Sequence, residues 1–342
     1  MKILIIISNL PPSGGAEKVA WDLAVNLKYK HEVHVITFCK ESKTVYINEV
    51  AVHCLKQRSH ALWYYMTIGR KQILDIVDQI KPDVINAHMP SIIAFVLRHY
   101  PAKKVLTLHN SEYKFYVKSL SQKLEHKFTL RTINRFDHVT TVSRHMQAYF
   151  IEFLKRNIEL ITNGIDLNLF KHNEKCLRQR NTILYVGRLV EFKGVKIIFE
   201  MATKLQKFNF VLIGQGPLYK SIDLPNVFFE GRKQAHEVAI YYNESFLSIF
   251  PSIYENFPLV GLEAMACGSI VLANDIKGFR EYIENGVNGF LIDMKNQDQV
   301  IKKIEEIENS DNLDCIKENA FDTARKYSWE KIKNSYVELY SS

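Results

Sequence analysis

Apolar runs of four to six residues alternate with longer segments of helical period almost from end to end of this chain, and few folds accommodate that alternation. A strand buried on both faces reads as a continuous apolar run, and its parallel neighbour is reached only through a crossover, usually a helix. In the first half the pattern predicts strands at 3–7, 32–37, 50–54, 83–87, 104–108, 138–142 and 158–161, with helices at 16–28, 66–80 and 143–155. In the second half it predicts strands near 182–186, 209–213, 226–229, 246–249, 270–273 and 289–291, followed by helices near 296–308, 313–326 and 329–340. The expected class is α/β, with two doubly wound, Rossmann-like domains, and a length of 342 residues agrees with two domains. After Asn163-Gly164-Ile165-Asp166, the polar stretch from Asn168 to Asn181 lacks apolar periodicity and reads as a linker, dividing the chain into 1–165 and 166–328. Ligands of such folds collect at the carboxyl ends of the strands, so a cleft between the two sheets is the expected site.

Composition narrows the setting. No stretch approaches the ~20 apolar residues that span a bilayer, and the opening run Ile3–Ile7 is short for a secretory segment and reads as a strand. The five cysteines are scattered and never form a CxxC pair, which argues against a disulfide framework or a zinc site and for a cytoplasmic location. The net charge of +8 is unevenly placed: residues 1–165 carry +10 and residues 166–342 carry −2. The first half is therefore expected to meet an anionic partner: a membrane surface, a phosphorylated lipid or nucleic acid.

Three segments carry chemistry. In Glu255-Asn256-Phe257-Pro258-Leu259-Val260-Gly261-Leu262-Glu263, Pro258 suits the first turn of a helix, placing Glu255 in the loop before it and Glu263 in its second turn. Free amides around Leu259 and Val260 would then form an anion site, and the two carboxylates could accept hydrogen bonds from ribose and sugar hydroxyls. In Gly187-Arg188-Leu189-Val190-Glu191-Phe192-Lys193-Gly194, Arg188 and Lys193 can hold a diphosphate without a metal, although Walker A spacing is absent. Gly14 and Gly15 stand at a strand-to-helix turn that lets a phosphate or sugar approach the backbone, or that is merely a tight connection. His109 ends the strand 104–108 at the carboxyl edge of the first sheet, a position open to a structural or a ligand-binding role.

Taken with Gly214-Gln215-Gly216-Pro217 and Asn285-Gly286-Val287-Asn288-Gly289-Phe290-Leu291, these segments resemble, in order and spacing, glycosyltransferase family 4, also called glycosyl transferases group 1. The resemblance covers nearly the whole chain. It implies a GT-B fold and retaining transfer from a nucleotide sugar, UDP being the default, with no cofactor and no metal. It also implies that Arg188 and Lys193 contact the donor diphosphate, Glu263 the ribose and Glu255 the transferred sugar. Gly14, Gly15, Asn163, Gly214, Phe257, Pro258, Leu259 and Val260 complete the donor site, and His109 lies beside the sugar. The last helix, 329–342, is then expected to pack back on the first domain. Pro258 departs from the glycine usual in the family and removes one backbone donor.

From Lys114 the residues Lys118, Lys123, Lys127 and Arg131 recur at helical intervals with Phe115 and Tyr116 between them, which reads as a surface for an anionic membrane or a lipid-linked glycan acceptor, or as a solvated helix face. The expected function is therefore a cytoplasmic glycosyltransferase, peripheral at the inner membrane face. The alternatives are a GT-B enzyme acting on a soluble acceptor or epimerising a sugar nucleotide, and a non-catalytic nucleic-acid-binding protein. The last is disfavoured because no RNP, KH or helix-turn-helix signature is present.

Overall fold

The computed structural model describes residues 1–12, 14–56, 68–110, 129–310 and 313–342. These divide into two compact units, Met1–Thr162 with Glu330–Ser342, and Asn163–Trp329.

The first unit is built on strands β1 (Lys2–Asn9), β2 (Glu32–Cys39), β3 (Lys43–Ile47), β4 (Val50–Lys56), β5 (Val84–Ala87), β6 (Lys103–Leu108), β7 (His138–Thr141) and β8 (Glu159–Leu160). Helices α1 (Gly15–Leu27), α2 (Ile68–Ile80), α3 (Ile92–Leu97) and α4 (Arg144–Leu154) lie between them. The sheet runs β3-β4-β2-β1-β5-β6-β7-β8, and β3 alone is antiparallel to its neighbour. Ile3 to Ile7 are almost wholly buried, as expected of a central strand covered on both faces.

β3 is an element the apolar pattern did not predict, because an edge strand has little to bury: Tyr46 is 77% exposed. It joins β4 through Asn48-Glu49, both with positive φ, the signature of a two-residue type I′ hairpin. This region also corrects the reading of the cysteines, since Cys39 on β2 and Cys54 on β4 form a disulfide. The pairing of β2 with β4 makes them neighbours, which the count and spacing of cysteines along the chain could not reveal.

The second unit contains β9 (Gln179–Val186), β10 (Asn209–Ile213), β11 (Val227–Gly231), β12 (Ser245–Phe250), β13 (Ile270–Asn274) and β14 (Phe290–Ile292), in the order β11-β10-β9-β12-β13-β14. All neighbours are parallel. Its helices are α5 (Val195–Lys204), α6 (Ala235–Glu244), α7 (Leu259–Ala266), α8 (Gln297–Glu308) and α9 (Leu313–Lys326). Ile183, Ile198, Phe208, Phe210, Leu212, Leu247 and Ile249 form its core, each such side chain contributing roughly 1.5–3 kcal/mol by leaving water. Buried Asn226 donates to the carbonyls of Ala202, Leu205 and Phe208, meeting acceptors that the end of α5 would otherwise leave open. The segment from Asn168 to Asn181 belongs to this unit rather than forming a linker. Phe170 is buried, the Asn173 amide donates to Asn243, and Arg178 donates to the carbonyls of Ser245 and Cys267. Sparse apolar residues hid a segment held mainly by polar contacts.

Helix α10 (Trp329–Ser341) closes the chain, and its residues from Glu330 on belong to the first unit. There the Tyr340 hydroxyl accepts from Asn86 Nδ2 at 2.6 Å. Asn86 Oδ1 accepts from the Thr107 hydroxyl at 3.4 Å, and Thr107 accepts in turn from Thr140 at 2.9 Å. This buried chain crosses β5, β6 and β7. Among the described residues no helix is long and apolar enough to cross a membrane. In chemical denaturation, Tyr340→Phe should cost about 1–3 kcal/mol by leaving buried Asn86 short of a partner. Tyr340→Ala should cost about 3–5 kcal/mol, because a cavity is added.

Candidate active site

In each unit the chain winds outward in opposite directions from one strand. β1 lies between β2 and β5, and β9 lies between β10 and β12. The loops leaving the two strands at such a reversal separate from one another and open a crevice at the carboxyl edge of the sheet. In the second unit these are the loops after β9 and β12, which carry Arg188, Lys193 and Glu255.

After β9 the backbone passes Gly187 and Arg188 and turns through Glu191–Lys193 into α5. Gly194 ends the turn with φ +73°, and a Cβ there would come within 2.2 Å of the Pro251 carbonyl oxygen. A left-handed residue against backbone admits only glycine. Lys193 consequently faces the loop after β12, where its Nζ forms an ion pair with Glu255 Oε1, both side chains being mostly buried. Phe192 is within cation–π range of both cations, with its ring centre 5.2 Å from the Arg188 guanidinium and 5.7 Å from Lys193 Nζ. The π face lowers the cost of holding two positive groups together. Below the loop, Tyr185 donates to the Arg188 carbonyl at 2.9 Å. Burial, and then the charge of Glu255, hold the Tyr185 phenol well above its ordinary pKa. It therefore remains a donor.

Pro258 is the residue before α7 rather than its first turn, with extended φ −73° and ψ 116°. Its carbonyl accepts from the Tyr282 hydroxyl at 2.6 Å, and the helix starts at Leu259. The amides of Leu259, Val260 and Gly261 have no acceptor within the helix, and half-buried Leu259 and Val260 stand at its opening. Glu263 falls in the second turn and is 9% exposed. Its charge, after burial, helps push the Cys267 thiol up to about 12. Phe257, assigned to the donor from the sequence, turns inward against Tyr282 and Tyr327, so its backbone alone is available to a ligand. Asn163 Nδ2 donates to the Phe257 carbonyl at 3.3 Å, leaving Oδ1 buried without a hydrogen-bond partner among the described residues. Gly214 lies across Gly187, where a Cβ would meet the Gly187 oxygen at 1.8 Å, and it thus fixes the two loops back to back.

In the first unit Gly14 and Gly15 open α1 after β1. A Cβ on Gly14 would meet only the flexible Glu17 carboxylate among the described residues, and one on Gly15 would meet nothing within 4 Å. Among the described residues, packing therefore gives no reason for glycine at Gly15. His109, just beyond β6, is partly buried and hydrogen-bonded to His88, the residue after β5. Arg131 is described and exposed. Lys114, Phe115, Tyr116, Lys118, Lys123 and Lys127 lie outside the described residues.

The sequence reading missed His88, Tyr185 and Tyr282. His88 carried a usable signal, since it follows an apolar strand that borders the reversal. Tyr282 carried none: it reaches Pro258 from a turn 24 residues farther along the chain.

Comparison with known proteins bears directly on this arrangement. Residues 13–169 match the glycosyltransferase family 4 model, and residues 170–323 match that of glycosyl transferases group 1. The chain is 29% identical to an uncharacterized glycosyltransferase of Methanocaldococcus jannaschii, over 99% of both chains. It is 31% identical to the N,N'-diacetylbacillosaminyl-diphospho-undecaprenol alpha-1,3-N-acetylgalactosaminyltransferase of Campylobacter jejuni, over 46% of this chain and 44% of the other. Among solved structures, Anabaena HepE in complex with UDP-glucose superposes with a TM-score of 0.81 at 21% identity, covering 100% of this chain and 99% of that one.

The chain belongs to the group 1 glycosyltransferases.

The fold of this glycosyltransferase is GT-B. A concavity of about 630 Å³ elsewhere on its second unit, with Leu167, Phe170, His172, Phe321 and Arg325 in its wall, includes none of the residues assigned from sequence. Glycine has different meanings at two of the assigned positions, and stability measurements should separate them. Gly214→Ala should lower the melting temperature clearly, by roughly 4 °C or less per kcal/mol for a chain of this size, because backbone must move. Gly15→Ala should leave it unchanged or slightly raised.

Proposed function

We propose that this enzyme transfers a hexose or N-acetylhexosamine, with retention of anomeric configuration, from a UDP-sugar to a lipid-linked or cell-surface glycan acceptor in polysaccharide or related synthesis, without a divalent metal. The observation that carries the proposal is the placement of Arg188 and Lys193 around Phe192 at the sheet reversal, with Lys193 paired to Glu255. Two cations in the loop after β9, together with the open amides that begin α7, suit a departing nucleoside diphosphate.

In this reading the bond between the anomeric carbon and the phosphate oxygen breaks as the acceptor oxygen bonds to the same face of the sugar. The acceptor proton passes to the leaving phosphate oxygen. Arg188, Lys193 and the amides of Leu259 and Val260 take up the charge that develops on the diphosphate. Glu263 accepts from the ribose hydroxyls, and Glu255 orients Lys193 and the transferred sugar. The choice of UDP is supported by the bound UDP-glucose of the HepE structure, and a lipid diphosphate acceptor by the name of the Campylobacter relative. For the absence of a metal requirement, support lies in the two cations, Arg188 and Lys193.

Placement at an anionic membrane surface is supported by the +10 charge of residues 1–165. Within that half, burial followed by the charges of Arg70, Arg131 and Arg135 holds the Arg98 guanidinium below its usual pKa, a sign of clustered positive charge.

The test is incubation with a panel of UDP-sugars and undecaprenyl-diphosphate-linked saccharides in the presence of EDTA, with the product linkage read by NMR. Transfer with the donor's α configuration retained is expected; an inverted linkage, or turnover that EDTA abolishes, would sink the proposal. Arg188→Met and Lys193→Met should each lower kcat on the order of a hundredfold or more. Gly15→Ala, folded as stably as the parent, should lose affinity for the donor.

A further inference from the structure

His88 is 4% exposed and takes no part in the steps above. Its Nδ1 lies 2.9 Å from His109 Nε2, and the two ring planes are 21° from parallel with centres 5.2 Å apart. Tyr336 of α10 also packs against it, with ring centres 6.2 Å apart. His88 Nε2 is buried and has no hydrogen-bond partner among the described residues. Burial lowers the pKa of His109 to about 4 and that of His88 well below its ordinary value, so both rings are neutral at neutral pH.

Two neutral imidazoles that share one hydrogen bond can arrange their protons in two ways. If His109 donates from Nε2, then His88 must carry its own proton on Nε2, where a buried N–H has no acceptor. If His88 donates from Nδ1, its Nε2 keeps only a lone pair, and His109 carries its proton on Nδ1. Buried N–H groups without an acceptor are rarer in proteins than acceptors without a donor, which favours the second arrangement.

We propose that His88 is a positioning residue whose Nδ1–H donates to His109 Nε2 and thereby fixes His109 as the Nδ1–H tautomer. With Nε2 accepting from His88 and Nδ1 protonated, His109 has no basic nitrogen. It therefore cannot take the acceptor's proton, which leaves that proton to the diphosphate. This last consequence rests on the function proposed above, whereas the tautomer does not.

The test is imidazole ¹⁵N NMR of the ¹⁵N-histidine-labelled full chain at neutral pH, with the His109 signals assigned by His109→Asn. In the parent, His109 should show a protonated Nδ1 and an unprotonated Nε2. His88→Asn, whose side-chain amide can replace the Nδ1–H, should preserve that pattern. His88→Ala should release it towards the Nε2–H form and lower kcat tenfold to a hundredfold, on the order expected of a misplaced contact. A parent His109 protonated on Nε2 would overturn the inference, and that measurement needs no variant to fold. So would a tautomer unchanged in a folded His88→Ala. Adding UDP-glucose separates the two claims: His109 signals that keep the Nδ1–H pattern and ignore the ligand would contradict its place beside the sugar while leaving the role of His88 intact.

Discussion

Parallel strands joined by crossovers cannot be laid down in one direction from the middle of a sheet, and the rest of this molecule depends on where the winding reverses. In the second unit the reversal at β9 sets the loops after β9 and β12 at the same edge, so that residues 62 positions apart, Lys193 and Glu255, form an ion pair. The glycines fix how closely those loops can lie. Gly194 admits the Pro251 carbonyl and Gly214 admits that of Gly187, contacts that a Cβ at either position would forbid. Charge placement thus follows from backbone packing. Tyr185 and Tyr282 then hold the carbonyls of Arg188 and Pro258 from beneath.

The first unit uses the same device for a different purpose. Its reversal at β1 brings the start of α1, His88 and His109 to one edge of the sheet, where burial keeps both imidazoles neutral. Neutral imidazoles suit hydroxyls and phosphate oxygens as hydrogen-bond partners. Helix α10, the last element of the chain, lies in this first unit, where Tyr340 completes the polar chain through Asn86 and Tyr336 packs on His88. Thus the C-terminus supports a residue at the candidate site from behind.

Much of the fold was legible because its strands are short, apolar and separated by amphipathic segments; the predicted runs correspond to β1, β2 and β4 to β14. β3 was missed because its side chains are mostly exposed, and the segment 168–181 was misread because polar groups anchor it. The same division applies to the site. Arg188, Lys193, Glu255 and Glu263 stood out by residue type and spacing next to helix starts. That the Phe257 side chain turns inward was not legible, since nothing in the local sequence says which way an aromatic residue in a loop will turn. The disulfide between Cys39 and Cys54 and the contacts of Tyr282 are facts of tertiary proximity, invisible along the chain.

The central claim is that the cations and carboxylates of the second unit form a binding site for a nucleoside diphosphate that needs no metal. Calorimetric titration of UDP into the protein in EDTA tests it most directly. One saturable site is expected, weakened at least tenfold by Glu263→Ala, about 1.4 kcal/mol, in a variant that keeps its fold. Absence of saturable binding, or binding indifferent to that substitution, would contradict the account.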